Sequence, residues 1–388
     1  MKFSHSTFFI MKDGSVICCG YNQYGQLGFS GTSSQSRLMY LPFSGVRKIV
    51  CGGAHTFFIM EDGTIKCCGY NYYGQLGTGD TENKLTPVDL TLTGVSDIVC
   101  GSDYTFFIME DGTIKCCGYN YYGQLGLGDT NNRTSPVNHP LTGVRKIVCG
   151  AEYTFFLMKD GTIKCCGYNY RGQLGLGDTS NRTSPVNHPL TGVKDIVCGG
   201  NHTFFIMEDG TIKCCGRNSE GQLGIGNTNN QTKLITHPLT GVKDIVCGGA
   251  HTFFIMEDGT IKCCGRNNYG QLGLDHNSSS NNRELEPKTI PFTGVKAFAS
   301  YTSIDNNDIY FVLSNENINY TIRGNQLIEL DKPLSQYQFK KRGFTNLDLL
   351  YTNIESIIRP MDFDRKEGEG RLFKKALNIN RSKKIIIS

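Results

Sequence analysis

The 388-residue chain has no tryptophan and only 11 prolines. No run approaches the ~20 consecutive apolar residues that a membrane-spanning helix requires. The apolar start Phe8-Phe9-Ile10-Met11 is too short for a signal-peptide core and has no small-residue cleavage site after it. These absences predict an intracellular, soluble protein with no membrane partner. Charge of either sign is scarce in the balance: 39 basic residues against 35 acidic give +4. That excludes a polycation coating nucleic acid by bulk attraction, so any such partner needs a local patch. What is plentiful is glycine (47), phenylalanine (22), tyrosine (19) and cysteine (17). Cysteine richness implies a disulfide scaffold only in chains below about 100 residues that cannot build a core. Here the cysteine positions decide.

Asp-Gly occurs at Asp13-Gly14, Asp62-Gly63, Asp111-Gly112, Asp160-Gly161, Asp209-Gly210 and Asp258-Gly259, every step being 49 residues without an insertion. This is a repeat array. All 17 cysteines obey it, as six Cys-Cys pairs from Cys18-Cys19 to Cys263-Cys264 plus Cys51, Cys100, Cys149, Cys198 and Cys247. Within a unit, Asp-Gly separates Thr252-Phe253-Phe254-Ile255-Met256 from Thr260-Ile261-Lys262-Cys263-Cys264, a hairpin signal because glycine accepts the positive φ of a tight primed turn. Ile245-Val246-Cys247 predicts a strand before this hairpin. A weaker one lies near Ser135-Pro136-Val137, where proline demands an edge position.

Phe-Phe-Ile-Met is continuously apolar rather than alternating, so both faces of its sheet are covered. Four-stranded antiparallel sheets stacked face to face at this period describe an all-β propeller. Six units are plain. A worn seventh spans about 295–330, with Tyr310 to Tyr320 aligned on Phe253 to Cys263. The first unit lacks its leading strand, and Leu347-Asp348-Leu349-Leu350-Tyr351 resembles Lys243-Asp244-Ile245-Val246-Cys247. The expectation is a seven-bladed propeller over 1–355, closed by a C-terminal strand at about 345–352, with a basic tail over 356–388.

The unit Asp258-Gly259-Thr260-Ile261-Lys262-Cys263-Cys264-Gly265-Arg266-Asn267-Asn268-Tyr269-Gly270-Gln271-Leu272-Gly273, preceded by Gly248-Gly249-Ala250-His251-Thr252, resembles the repeat of the regulator of chromosome condensation family. The match recurs six times, over roughly residues 1 to 310. The resemblance implies the family's seven-bladed propeller. It departs at Cys264 and its counterparts, where the family often carries an aromatic residue, commonly tryptophan. The family's founding member promotes nucleotide exchange on the small GTPase Ran, partly through a wedge inserted from a blade. The even 49-residue spacing leaves no room for a wedge in the regular units. The near-identity of the repeats suggests recent internal duplication, as in amoebal or large-virus versions of the family; the expected location is an intracellular, reducing compartment, the cytoplasm or nucleus, or a virion that packages the protein.

No catalytic set is visible: there is no Ser/His/Asp constellation, no phosphate loop and no C-x-x-C spacing for zinc. No cofactor or metal is implied. The cysteines read as small buried apolar residues between blades, in a reducing compartment. His5, His55, His202 and His251 precede the Phe-Phe strand, where Tyr104 and Tyr153 stand in two units. That exchange predicts a hydrogen-bonding role open to either ring.

Two surfaces are candidates for binding. The loops after the Cys-Cys-Gly segments carry Tyr70 and Tyr72, Tyr119 and Tyr121, and Tyr168, Tyr170 and Arg171, and then Arg217 and Arg266 in the next two units. Tyrosine and arginine are enriched at binding hot spots. The alternative is that these side chains pack under the Gly-Gln-Leu-Gly turns of their own units. The tail offers Arg371, Lys374, Lys375, Arg381, Lys383 and Lys384 with no acid between 371 and 388. Its +6 against the total of +4 leaves −2 for residues 1 to 370. It fits either a phosphate-backbone contact or a solvated tail. The leading expectation is a non-enzymatic propeller that acts as an interaction or structural scaffold for a protein partner or for self-assembly, with DNA or nucleoprotein contact through the tail. Guanine nucleotide exchange on a small Ran-type GTPase is the alternative, and it rests on the resemblance alone.

Overall fold

The computed structural model describes residues 6–10, 14–268, 272–274, 283–290, 295–300, 309–313, 320–323 and 326–329. Five four-stranded antiparallel sheets follow one another along the chain in the order first-second-third-fourth strand. The third sheet of the chain is representative: Val95–Cys100, Tyr104–Met109, Ile114–Gly118 and Arg133–Asn138. Val99 faces Phe106, Phe106 faces Cys116, and Cys116 faces Val137. The same arrangement covers Val46–Leu90, Val144–Asn187, Val193–Thr236 and Val242–Thr289. Ahead of them stands a three-stranded sheet of Ser6–Ile10, Val16–Gly20 and Gln35–Tyr40, which lacks a leading strand.

Local sequence explains each element. Asp111 Oδ1 accepts hydrogen bonds from the Thr113 backbone N–H and hydroxyl, and Gly112 takes a φ of +80°, so the hairpin closes on its own residues. The outermost strand contains Pro136 and pairs on one side alone, with Ile114–Gly118, so its missing N–H interrupts no ladder.

The leading strands of consecutive four-stranded sheets are neighbours, and the sheets stack face to face. This is why the second strand is apolar throughout: Phe57 packs edge-on against Phe107 of the next sheet at 5.6 Å, while Phe58 packs against Phe8 of the preceding one at 5.8 Å. Phe106 with Phe156, Phe155 with Phe205 and Phe204 with Phe254 repeat the contact. Adjacent cysteines divide likewise, Cys67 entering the core beyond its sheet and Cys68 the core before it. All 17 cysteines are buried and none forms a disulfide.

Val295–Ser300 pairs with Ile309–Leu313, with the same register shift after its first residue as the leading strands of the regular sheets. Tyr320–Arg323 pairs with Gln326–Glu329 in a separate two-stranded ladder. The closing strand expected at about 345–352 lies outside the described residues. Among the described residues no helix is long and apolar enough to cross a membrane.

Candidate partner-binding face

The second strand of each four-stranded sheet begins with a buried His or Tyr, and His55, Tyr104, Tyr153 and His202 reach into the next sheet. His202 Nε2 lies 3.0 Å from Thr252 Oγ1, and that hydroxyl lies 2.7 Å from the Gln222 carbonyl. The threonine proton goes to the carbonyl, so His202 donates from Nε2, and its burial favours the neutral ring. His55 and Thr105 repeat this at 3.1 Å. Where tyrosine replaces histidine, the phenol donates to backbone: Tyr104 to the Tyr153 carbonyl at 2.5 Å, and Tyr153 to the His202 carbonyl at 2.6 Å. Desolvation pushes His55 and His202 down to about 3 and His251 to about 4. His139, His188 and His237 sit between phenylalanines of adjacent sheets, His139 for example stacking on Phe156 at 5.1 Å, and burial lowers all three to about 4.

The second cysteine of each pair belongs to the same seam. Cys68, Cys117, Cys166, Cys215 and Cys264 point their thiols at the carbonyls of Gln26, Gln75, Gln124, Gln173 and Gln222 of the preceding unit, at 3.4 to 3.7 Å. Desolvation raises these thiols well above 9. A thiol held in that way is neither nucleophile nor metal ligand. Among the described residues no group of three His, Cys, Asp or Glu side chains could hold a metal ion.

The seam leaves one end of the sheets to the loops between third and fourth strands. Each loop is fixed at both ends. Tyr70, Tyr119 and Tyr168 donate their N–H groups to the carbonyls of Ala54, Asp103 and Glu152, in the turns between first and second strands. Behind them Asn71 is fully buried, its Oδ1 accepting the Leu76 N–H and its Nδ2 donating to the Asp80 carbonyl. Gly74, at φ +81°, lies where a Cβ would stand 2.4 Å from Thr134 Cα of the next sheet.

On this frame Tyr70, Tyr119 and Tyr168 are half-buried, and Tyr72, Tyr121 and Tyr170 are each 64% exposed. Their rings join end to end across four sheets. Tyr21 meets Tyr24, Tyr24 meets Tyr70 at 4.7 Å, Tyr73 meets Tyr119 at 4.5 Å and Tyr122 meets Tyr168 at 4.7 Å. Within a loop, Tyr70 and Tyr72 stack at 6.4 Å with Tyr73 edge-on to both, and Tyr119, Tyr121 and Tyr122 do the same. The arc ends at Arg171, whose guanidinium lies 5.4 Å over the Tyr170 ring. Beyond it Arg217 bonds Ser219 and pairs with Glu220, and Arg266 bonds Asn268; both are half-buried. Thus the structure places Tyr70, Tyr72, Tyr119, Tyr121, Tyr168, Tyr170 and Arg171 in one arc, and Arg217 and Arg266 on the loops that follow. Arg371, Lys374, Lys375, Arg381, Lys383 and Lys384 lie outside the described residues.

Sequence reasoning did not single out Tyr24, Tyr73 and Tyr122, which bridge one loop to the next, or Tyr21, which packs on Tyr24. It also missed Asp103 and Glu152, the side chains beneath the arc. The signal was present: within a constant frame the equivalent turn position reads Ala54, Asp103, Glu152, Asn201, Ala250.

Stacked four-stranded sheets of this repeat, with the loops between third and fourth strands at one end, are the blades of a repeat β-propeller. The family model described as "Regulator of chromosome condensation (RCC1) repeat" matches residues 13–59, 62–108, 111–157, 160–206 and 209–255, and a second model of the same description matches 46–75, 95–124, 144–173, 193–222 and 242–271. The matches take in more than half of the chain, which therefore belongs to the regulator of chromosome condensation repeat family. Similar solved structures include yeast RCC1 (Prp20) bound to Kap60, at 18% identity and TM-score 0.67 over 82% of this chain and 79% of that one. Saccharomyces cerevisiae Prp20p, described with its binding to Gsp1p and histones, aligns at 17% identity and TM-score 0.69 over 84% and 88%. Human WBSCR16 aligns at 22% identity and TM-score 0.65 over 76% and 83%. At these identities the likeness is one of fold. A comparison with curated proteins gives no match.

Proposed function

We propose that the chain is a non-enzymatic propeller of seven blades over residues 1–355, closed by a strand near 345–352, which binds a macromolecular partner through the tyrosine arc and its arginine flank. The degenerate blade at about 295–330 completes the ring, and the basic segment within 356–388 adds contact with nucleic acid or nucleoprotein. The observation that carries this reading is the arc itself. Ten tyrosines in unbroken ring contact across four sheets, three of them 64% exposed, present far more aromatic surface than folding requires. The buried cysteines, none of them in a disulfide, favour a reducing compartment.

The direct test is the full chain carrying Tyr72→Ala, Tyr121→Ala and Tyr170→Ala. These side chains are exposed, so the fold should persist by circular dichroism, while binding to histones, or to a Ran-type GTPase, drops at least tenfold by interferometry. Unchanged binding to every probe the wild type holds would reject the arc as an interface. For the tail, changing the six basic residues from Arg371 to Lys384 to serine should flatten the salt dependence of DNA binding.

A second reading, guanine nucleotide exchange on a small GTPase, is supported by family membership and by the binding of Gsp1p reported for Prp20p. Accelerated release of labelled GDP from a Ran-type GTPase would establish it in place of the scaffold reading.

A further inference from the structure

Two carboxylates lie beneath the tyrosine arc. Asp103 and Glu152 occupy equivalent turns of adjacent sheets, and the carbonyls of these residues hold the N–H groups of Tyr119 and Tyr168. In the neighbouring loops three aspartates are each tied to a cation four residues on: Asp80 to Lys84, Asp129 to Arg133, Asp178 to Arg182. Asp103 and Glu152 make no ion pair among the described residues. Asp103 accepts one hydrogen bond, from Gln75 Nε2 at 3.3 Å. The two acids lie close enough for the charge of Asp103 to raise Glu152, after the larger effect of burial. Tyr70 senses Asp103, and Tyr119, Tyr122 and Tyr168 sense Glu152. The two carboxylates, with no ion-pair partner among the described residues, therefore stand in the turns that hold the tyrosine loops.

The chain itself shows what such rings accept. In the fourth sheet the place held by Tyr73 and Tyr122 is taken by Arg171, and its guanidinium covers Tyr170. In the second and third sheets no cation of the described chain covers Tyr72 or Tyr121, and the two acids lie in the turns of the third and fourth sheets, Asp103 facing Gln75 of the second. A cation over a tyrosine face gains from the ring quadrupole, and one that also reaches a carboxylate gains a charge-assisted hydrogen bond.

We propose that the stretch of the arc from Tyr72 to Tyr168, with Asp103 and Glu152, is the docking site for a lysine- or arginine-bearing peptide segment of a separate protein. This deepens the interaction reading above and rests on it. The cationic side chains lie across Tyr72 and Tyr121 and reach the two carboxylates, as Arg171 lies across Tyr170.

The test uses the full chain and two fluorescein-labelled peptides of equal length, one alternating Lys and Ser, the other Glu and Ser. Anisotropy should show the Lys peptide bound and the Glu peptide not. Asp103→Asn with Glu152→Gln should weaken the Lys peptide about tenfold, the yield of two partly exposed ion pairs, with the same fold by circular dichroism. Tyr72→Ala with Tyr121→Ala should weaken it by a similar factor. Equal binding of both peptides, or a Lys peptide indifferent to the amide variant, overturns the proposal. If the Tyr72/Tyr121/Tyr170 variant loses a macromolecular partner that the amide variant keeps, the cation preference falls while the arc stands as an interface. If neither variant loses any partner, both readings fall. If Lys374→Ser, Lys375→Ser, Lys383→Ser and Lys384→Ser together tighten the Lys peptide tenfold, the occupant is the chain's own tail and the separate partner is refuted.

Discussion

Replacing His202 by tyrosine should make the protein more resistant to acid. His202 is fully buried and donates from Nε2 to Thr252 of the next sheet, and burial, aided by the charges of His251 and Arg217, holds it at about 3 against an ordinary 6.5. A base whose pKa is depressed by folding binds its proton in the unfolded chain first. Its contribution is therefore intact above about pH 6.5 and is lost progressively as pH falls from there towards 3. Each pH unit in that window costs about 1.4 kcal/mol, so moving from pH 7 to pH 5 removes about 2 kcal/mol through this one residue. Tyrosine stays neutral throughout, and the chain already places it in the same frame at Tyr104 and Tyr153, where the phenol spans the seam to a carbonyl. The assay is urea unfolding of wild type and His202→Tyr at pH 7 and pH 5. The gap between the two proteins should shift by about 2 kcal/mol in favour of the variant on acidification. Carboxylates such as Asp209, lowered by its bonds to Thr211, also make the fold acid-sensitive, but they do so equally in both proteins and cancel. An unchanged gap would refute the idea that a neutral imidazole is required at the seam.

Three further outcomes follow from the same geometry. Gly101→Ala would put a Cβ 1.9 Å from the buried Tyr104 ring, so it should cost about 1 to 3 kcal/mol in thermal unfolding, whereas Gly249→Ala meets nothing within 4 Å among the described residues and should be close to neutral. Ellman's reagent should find almost no rapidly reacting thiol in the native protein and all 17 in denaturant without reductant; a shortfall in denaturant would contradict cysteines free of disulfides. Burial raises Asp103 to about 6, and Gln75, Tyr70 of the preceding sheet and Glu152 of the next face it. Affinity for the Lys peptide should therefore fall as pH drops through 6 and the carboxylate is neutralised, and Asp103→Asn should remove much of that dependence.

The repeat architecture was legible because its signals are local. Asp-Gly marks the hairpin, Pro136 marks the edge strand, and the unbroken Phe-Phe-Ile-Met run marks a sheet covered on both faces. Each is read within one unit, and the structure repeats the unit intact. The exchange of His55, His202 and His251 for Tyr104 and Tyr153 was legible as a shared hydrogen-bonding task. Its acceptor was not, because Thr252 stands 50 residues beyond His202 and is brought to it only by stacking the sheets. The same distance in sequence hid the thiol of Cys117 reaching the Gln75 carbonyl 42 residues earlier.

The tyrosine arc divides along the same line. Tyr72, Tyr121 and Tyr170 stand out in any one loop, but the arc depends on Tyr24, Tyr73 and Tyr122, which touch the next loop as well as their own. The frame residues of a repeat must answer to both neighbours, so every unit keeps the same Gln, Thr, Cys and Phe at its seam. Positions that differ from unit to unit are released from that demand: Ala54, Asp103, Glu152, Asn201 and Ala250 share one backbone role and no common side-chain chemistry. In a ring of near-copies, variation confined to such places is what makes one sector of the face unlike the rest, and here it sets two unpaired acids beneath tyrosines and arginines beyond them. A partner that reads this surface must therefore be polarised itself, its cations toward the third and fourth sheets.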